Sequence, residues 1–365
     1  MTMRYRLLGD SGLRVSEICL GAMTFGTDFG WGADEDTSRR LYELFREQGG
    51  NFVDTANEIY TNGSSETFVG RFIADERDAV VLATKYTDAP PGDDPNRAGN
   101  HRKSMITSVE RSLRRLGTDY IDLLWVHAWD FLTPEREVMR GLDDLVRQGK
   151  ILYVGISDAP AWVVARCNTM AELQGWTPFV ALQAEYSLVE RTAERELIPM
   201  ARALDLGVLG WSPLANGVLT GKHLPGSNES AARENGDGQR LRALQGVFDV
   251  DDRKLRIARA VVEVARDAGC SPAQAAIAWV RSRGVLPILG ARKLDQLRDN
   301  LTALDIQLSA DQLQRLDEVS TIELGFPHEF LAKTRGGPTY GGTFDRIDAH
   351  VDRGLGNGPL PTPAG

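Results

Sequence analysis

Cysteine is scarce in this chain: three residues in 365, Cys19, Cys167 and Cys270, odd in number and far apart. None shows the close pairing of a zinc site or redox motif, so all three read as small core hydrophobes. Positive charge is in deficit. Lys and Arg total 42 against 51 Asp and Glu, which leaves a net charge of -9 and a pI near 5.2. That balance opposes nucleic-acid binding, which relies on clustered cations to neutralise phosphates. Any anion site must be local. Long apolar runs are also missing: MTMRYRLLGDSG lacks the core of a signal peptide, and charges interrupt every later run before membrane-spanning length. A cytoplasmic location with no membrane partner is the expectation. No strand-like run leads into a GxGxxG turn, so the dinucleotide fingerprint of a doubly wound sheet is absent.

What is present is alternation. With 42% hydrophobic and 25% charged residues the chain can bury one large core. Eight short, β-branched runs occur at 18–23, 51–55, 79–85, 121–127, 151–157, 179–185, 207–212 and 285–291. Helical patterns separate them at 36–48, 65–74, 102–116, 134–148, 161–173, 194–204, 254–268 and 294–301. Near-continuous hydrophobic strands alternating with helices call for a parallel sheet covered by helices, and eight repeats predict a closed (β/α)₈ TIM barrel. The stretch RYRLLGDSGLRVSEI predicts a hairpin over about 4–16 that plugs one end of the barrel. A last helical pattern at 310–319 closes a single domain over 1–333. Beyond it, 334–365 is a C-terminal extension with eight glycines and four prolines in 32 residues, a composition that cannot build its own core. Two loops are long, 86–101 and 213–251, and both belong to the face where barrels build their sites. The second contains six glycines and is expected to act as a lid.

Polar groups end the early strands. Asp54 follows NFV, Lys85 follows VVLAT, His127 follows IDLLWV, and Tyr60 lies six residues after Asp54. Taken singly, Asp54 could brace a turn, Lys85 could reach solvent, His127 could be a satisfied core histidine and Tyr60 a packed rim aromatic. On adjacent strands they make a proton-transfer site. A Lys ammonium about 4 Å from a phenol is expected to draw its pKa down by up to about three units. Asp54 would keep Lys85 charged, and His127 could hydrogen-bond a substrate oxygen.

These residues sit in segments that resemble the aldo-keto reductases, as a bacterial NADPH-dependent member would. The segments are YRLLGDSGLRVSEICLGAMTFG, NFVDTANEIYTNGSSE, VVLATK, SVERSLRRLGTDYIDLLWVHAWD, GKILYVGISD, LQAEYSL, GWSPLANGVLTGK and PILGARKLDQLRDNL, running from Arg4 to about Thr343. The resemblance implies reduction of an aldehyde or ketone by NADPH, with Tyr60 as acid, Lys85 and Asp54 as its tuners and His127 orienting the carbonyl. It implies that Ser157, Asp158 and Gln183 hold the nicotinamide carboxamide and that Trp211 stacks on the ring. Ser212, Leu214 and Lys222 would follow the pyrophosphate, with Thr24, Gly217 and Leu219 beside the cofactor. Gly290, Arg292, Gln296 and Asn300 would hold the adenosine end and its 2'-phosphate.

Two departures stand out. The family's tyrosine lies five residues after its aspartate, where this chain has Ile59, and a one-residue bulge is the expected remedy. Asp158 stands where the family often has Asn, and a carboxylate cannot donate to the carboxamide oxygen. Met23, Phe25, Trp31, Tyr86 and Trp129 are the expected walls of an apolar pocket for aryl, terpenoid or sugar-derived carbonyls. A monomer is the expected state. Other readings of the resemblance are a regulatory cofactor binder similar to potassium-channel β-subunits, a C=C reductase (against which His127 argues), and a catalytically impaired member.

Overall fold

A computed structural model describes residues 3–224, 250–335 and 337–347. Eight parallel strands close into a barrel: β3 (Cys19–Gly21), β4 (Phe52–Asp54), β5 (Val81–Tyr86), β6 (Ile121–Val126), β7 (Ile151–Ser157), β8 (Phe179–Glu185), β9 (Gly207–Trp211) and β10 (Leu286–Leu289). Closure is made by β10 on β3, with Ile288 opposite Cys19. All eight expected strands form, because each is a short apolar run that can be buried on both faces.

The barrel separates two hydrophobic layers. Inside, Phe52, Ala83, Leu123, Trp125, Ala181 and Leu209 pack together; outside, alternate residues of the same strands pack against the helices. Trp125 is the largest fully buried side chain of the interior. Room for it comes from Gly155 on the neighbouring strand, where a Cβ would stand 2.4 Å from the indole.

The hairpin is formed by β1 (Tyr5–Leu7) and β2 (Arg14–Ser16), paired antiparallel. Leu8 and Val15 are fully buried in the interior cluster, so this element does plug the barrel. Gly9, at φ +56°, lies so close to the main chain that a Cβ would meet the carbonyl of Val180 at 2.2 Å. Val180 is at the start of β8, so the plug seals the end where the strands begin.

Helices cover the outside: α1 (Glu35–Glu47), α2 (Ser64–Ile73), α3 (Arg102–Leu116), α4 (Glu135–Arg147), α5 (Ala161–Gln174), α6 (Leu197–Ala203), α7 (Asp252–Ala268), α8 (Pro272–Ser282), α9 (Leu294–Thr302), α10 (Ala310–Ser320) and α11 (His328–Thr334). Three differ from the sequence reading, among them α11, which lies beyond the last expected helical pattern at 310–319 and was not expected. The 194–204 pattern shortens to α6, preceded by a 3₁₀ turn at Thr192–Glu194. Helix α8 was not expected at all. Its residues from Ala273 to Val280 are all buried, so it has no polar face to mark a helical period. Its start signals were nonetheless present: Ser271 caps the helix, Pro272 occupies the first turn, and Gln274 completes a capping box.

Of the long 213–251 loop, residues 225–249 lie outside the described residues, as do 348–365 of the extension, so the expected lid is not described. Among the described residues no helix is long and apolar enough to cross a membrane.

Overpacking should be felt at the Gly155 contact. Substituting Gly155→Ala is expected to cost about 1–3 kcal/mol, read as a lowered urea midpoint at unchanged slope. An unchanged midpoint would show that Trp125 has room to move.

Candidate functional site

At the opposite end from the plug, the strand ends bring four polar groups together. Asp54 closes β4 and Lys85 is the penultimate residue of β5, and the two form an ion pair that is 3% and 0% exposed. Lys85 also donates to the Thr55 carbonyl at 2.7 Å, and Gln183 of β8 donates to the other Asp54 oxygen at 3.2 Å. Burial by itself would push the Lys85 ammonium down, yet the adjacent carboxylate holds it above its ordinary value. Lys85 stays charged.

Tyr60 and His127 stand over this pair. The Lys85 ammonium is 5.0 Å from the centre of the Tyr60 ring. The Tyr60 and His127 rings meet edge to face, with centroids 5.9 Å apart and planes at 83°. The expectation that Lys85 draws Tyr60 toward phenolate is corrected here. Burial pushes the phenol up, and although Lys85 pulls it down, Asp54 opposes that pull. The ammonium is largely spent on Asp54, so Tyr60 remains a phenol.

The extra residue before Tyr60 is absorbed by a turn rather than a bulge in a strand. The Asn57 carbonyl accepts from the Tyr60 N–H at 3.1 Å, and the Asn57 side chain accepts from the Ile59 N–H at 3.1 Å. Thr61 and Asn62 then take positive φ, 45° and 51°. Beneath this loop lie two carboxylates that sequence reasoning missed. Glu58 faces Arg97, Arg111 and Arg115 at 3.0, 3.5 and 3.3 Å. Fully buried Glu66 accepts from Thr84 and from Arg115, both at 2.6 Å. No sequence signal distinguishes them from solvated helix charges.

A cleft of about 500 Å³ leads away from these groups. Asp54, Tyr60 and His127 line one end, with Gln183, Asp158, Trp211 and Met23 beside them. Ser212, Leu214, Gly217 and Lys222 line the middle together with Thr24, and Gly290, Arg292, Gln296 and Asn300 the far end. Gly217, at φ +93°, lets Lys222 pass: a Cβ there would meet its ammonium at 2.8 Å. Trp211 donates its indole N–H to Asp158 at 3.3 Å. Burial pushes Asp158 up, although that bond opposes the shift.

Other expected site residues stand back from the cleft. Leu219 is fully buried in the layer between barrel and helices, and Ser157 lies under the cleft, fully buried. Phe25, Trp31, Tyr86 and Trp129 are buried and stand outside the cleft lining, whereas Met23 lines it. Alternation explains Tyr86: Lys85 points into the barrel, so its neighbour must point out. Phe25 is instead packed on Phe72. Conversely, Ala273 on the unexpected α8 and Asp299 on α9 line the cleft and were not among the expected site residues. Asp299 accepts from Ser271 at 2.8 Å and Gln274 at 2.7 Å, fastening the start of α8 to α9.

The His127 imidazole is strongly displaced. Burial, helped by the Lys85 charge, lowers it from 6.5 to about 3. The folded state therefore refuses a proton that the unfolded chain accepts, and this contribution to stability is complete above pH 6.5 and lost as pH falls toward 3. An NMR titration should find His127 neutral down to about pH 4, with His127→Gln flattening the loss of stability over that window. A midpoint near the ordinary value would refute the assignment.

The comparisons agree with this architecture. Residues 17–321 match the model of the Aldo/keto reductase family. Norsolorinic acid reductase of Aspergillus flavus is 38% identical over 345 residues, covering 90% of this chain and 84% of that protein. A putative aryl-alcohol dehydrogenase, AAD14 of Saccharomyces cerevisiae, is 36% identical over 343 residues, covering 90% and 89%. Aldo-keto reductase ausK of Aspergillus calidoustus is 36% identical over 345 residues, covering 90% and 85%. All three are fungal, so the expected bacterial affiliation finds no support. With an eight-stranded parallel barrel and a match of this extent, the chain belongs to the aldo/keto reductase family and is an oxidoreductase.

Proposed function

We propose that this protein reduces an aldehyde or ketone to the alcohol with NADPH, Tyr60 giving the proton. The observation that carries this reading is the phenol of Tyr60 beside His127, at one end of the cleft and directly over the buried Asp54–Lys85 pair. When bound, the reduced nicotinamide supplies a hydride to the carbonyl carbon.

The chain's own residues account for the rest. Tyr60, kept as a phenol, holds the proton that an oxygen gaining negative charge needs. As that proton leaves, the phenolate is stabilised by the Lys85 ammonium, so the ion pair matters most in the transition state. Asp54, gripped by both Lys85 and Gln183, fixes where the ammonium points. Neutral His127 orients a substrate oxygen next to Tyr60.

The cleft suits an extended dinucleotide. At the near end, the Gln183 amide, the buried Ser157 hydroxyl and the indole face of Trp211 would hold the nicotinamide. Asp158 is committed to Trp211, consistent with a residue that steadies the stacking surface rather than donating to a carboxamide. At the far end, Arg292 and Lys293 precede α9, where exposed N–H groups and the helix dipole favour a phosphate. Gln296 accepts from the Arg292 N–H at 3.2 Å, leaving its NH₂ to donate. The names of the relatives favour aromatic carbonyl compounds as substrates.

Replacing Tyr60 by Phe should lower carbonyl reduction by on the order of 10² to 10⁴, with cofactor affinity nearly intact. Near-normal turnover would exclude Tyr60 as the acid. It would also mean that the six-residue spacing has moved the proton source elsewhere.

The adenosine end is tested separately. Arg292 can grip phosphate oxygens in a fork, and charge-assisted bonds contribute about 1.5–3 kcal/mol each, so one or two imply a ten- to thousandfold preference for NADPH over NADH. Arg292→Ala should weaken NADPH by roughly tenfold or more while NADH barely changes. Equal changes in the two dissociation constants would show that Arg292 does not read the 2'-phosphate.

A further inference from the structure

The ends of three successive strands, β7, β8 and β9, bring Asp158, Gln183 and Trp211 to one end of the cleft. Asp158 accepts the Trp211 indole N–H at 3.3 Å, and its main-chain carbonyl accepts from the Trp129 N–H at 3.3 Å. Its backbone takes φ +36°, in the left-handed region that Asp and Asn tolerate better than most residues. Main chain and side chain are both held.

The charge that Asp158 brings is poorly compensated. Of the other groups lining this end, Tyr60 is a phenol, His127 is neutral, and Asp54 is answered by Lys85. Lys85 attracts Asp158 as well, but Asp88 repels it. Glu185, opposite Trp211 in the strand pairing, is raised to about 7 by burial, by Glu190 and by Asp158, so it carries only part of a charge at neutral pH. The cations lining the cleft, Lys222 and Arg292, belong to its middle and far end.

A reduced nicotinamide ring is neutral, whereas the ring left after hydride loss is positive, and the rest of the dinucleotide is the same in both. We propose that Asp158 reads this difference, its carboxylate strengthening the binding of NADP+ over NADPH and thereby favouring, in the bound complex, the direction that consumes the reduced cofactor. A charge that meets its counter-charge only as the reaction proceeds lowers the barrier as well as shifting the equilibrium. The inference rests on the reading of the cleft as a dinucleotide site.

Titration of tryptophan fluorescence with each cofactor gives both dissociation constants without turnover. Asn suits the same backbone and keeps an amide oxygen for the indole, so Asp158→Asn removes the charge alone. In that variant NADP+ should weaken by roughly tenfold or more while NADPH barely changes, because unit charges a few ångströms apart near a protein surface shift an equilibrium by at least that much. The shorter Asp158→Ser should move the ratio of the two constants in the same sense. If Asp158 only steadies Trp211, Asn will leave both constants alone and Ser will weaken both alike; either pattern overturns the proposal. Failure of wild-type protein to bind either cofactor would overturn the dinucleotide reading itself, and the proposal with it.

Discussion

The mouth of the barrel is organised by one interaction, the ion pair of Lys85 with Asp54. Both groups are almost wholly shielded from water, and removing two charges from water costs several kcal/mol per ion unless geometry repays it. Here it is repaid by adjacency on neighbouring strands, by the Thr55 carbonyl and by the Gln183 amide. Those partners come from three strands, β4, β5 and β8. The pair can therefore persist only if the barrel is closed and in register, which ties the chemistry of the site to the fold.

The electrostatics of the neighbours follow from the same pair. Because Asp54 nearly cancels Lys85, Tyr60 experiences burial more strongly than the ammonium and keeps its proton. His127 sees burial first and Lys85 second, and both oppose a second positive charge. The result is a loaded acid and a neutral imidazole side by side at the same pH. An isolated Lys85 would instead bias Tyr60 toward phenolate, a base in search of a proton, so Asp54 sets the direction in which the site is ready to work.

Much of this was legible in the sequence because a barrel converts order along the chain into place. Once eight apolar runs are assigned to parallel strands, whatever follows each run arrives on one face, and Asp54, Lys85 and His127 meet without further information. Period failed where burial is uniform. Helix α8 is buried all around and shows no stripe, so Ala273 and the Asp299 fastening went unread. Loop position likewise does not tell inward from outward: strand alternation sends Tyr86 to the outer layer beside Lys85 in the inner one. The sign of the Tyr60 shift was misjudged because two opposite charges were weighed as one.

The division of labour between the two barrel ends completes the picture. Plugging one end with Leu8 and Val15 and filling the middle with Trp125 makes the interior a solid apolar support rather than a pore. The polar groups that border the cleft lie toward the ends of the strands, and the turn bearing Tyr60 is held from below by Asn57, Glu58 and Glu66, with Asn57 and Glu66 tying it to β5 through the Lys85 carbonyl and the Thr84 hydroxyl. This arrangement explains how a one-residue change in spacing is accommodated. The turn can lengthen without altering strand register, because the side chains that brace it come from α3, from the loop after β5 and from Asn57 within the turn, while its main chain is tied to the barrel where Asn57 donates to the Lys85 carbonyl.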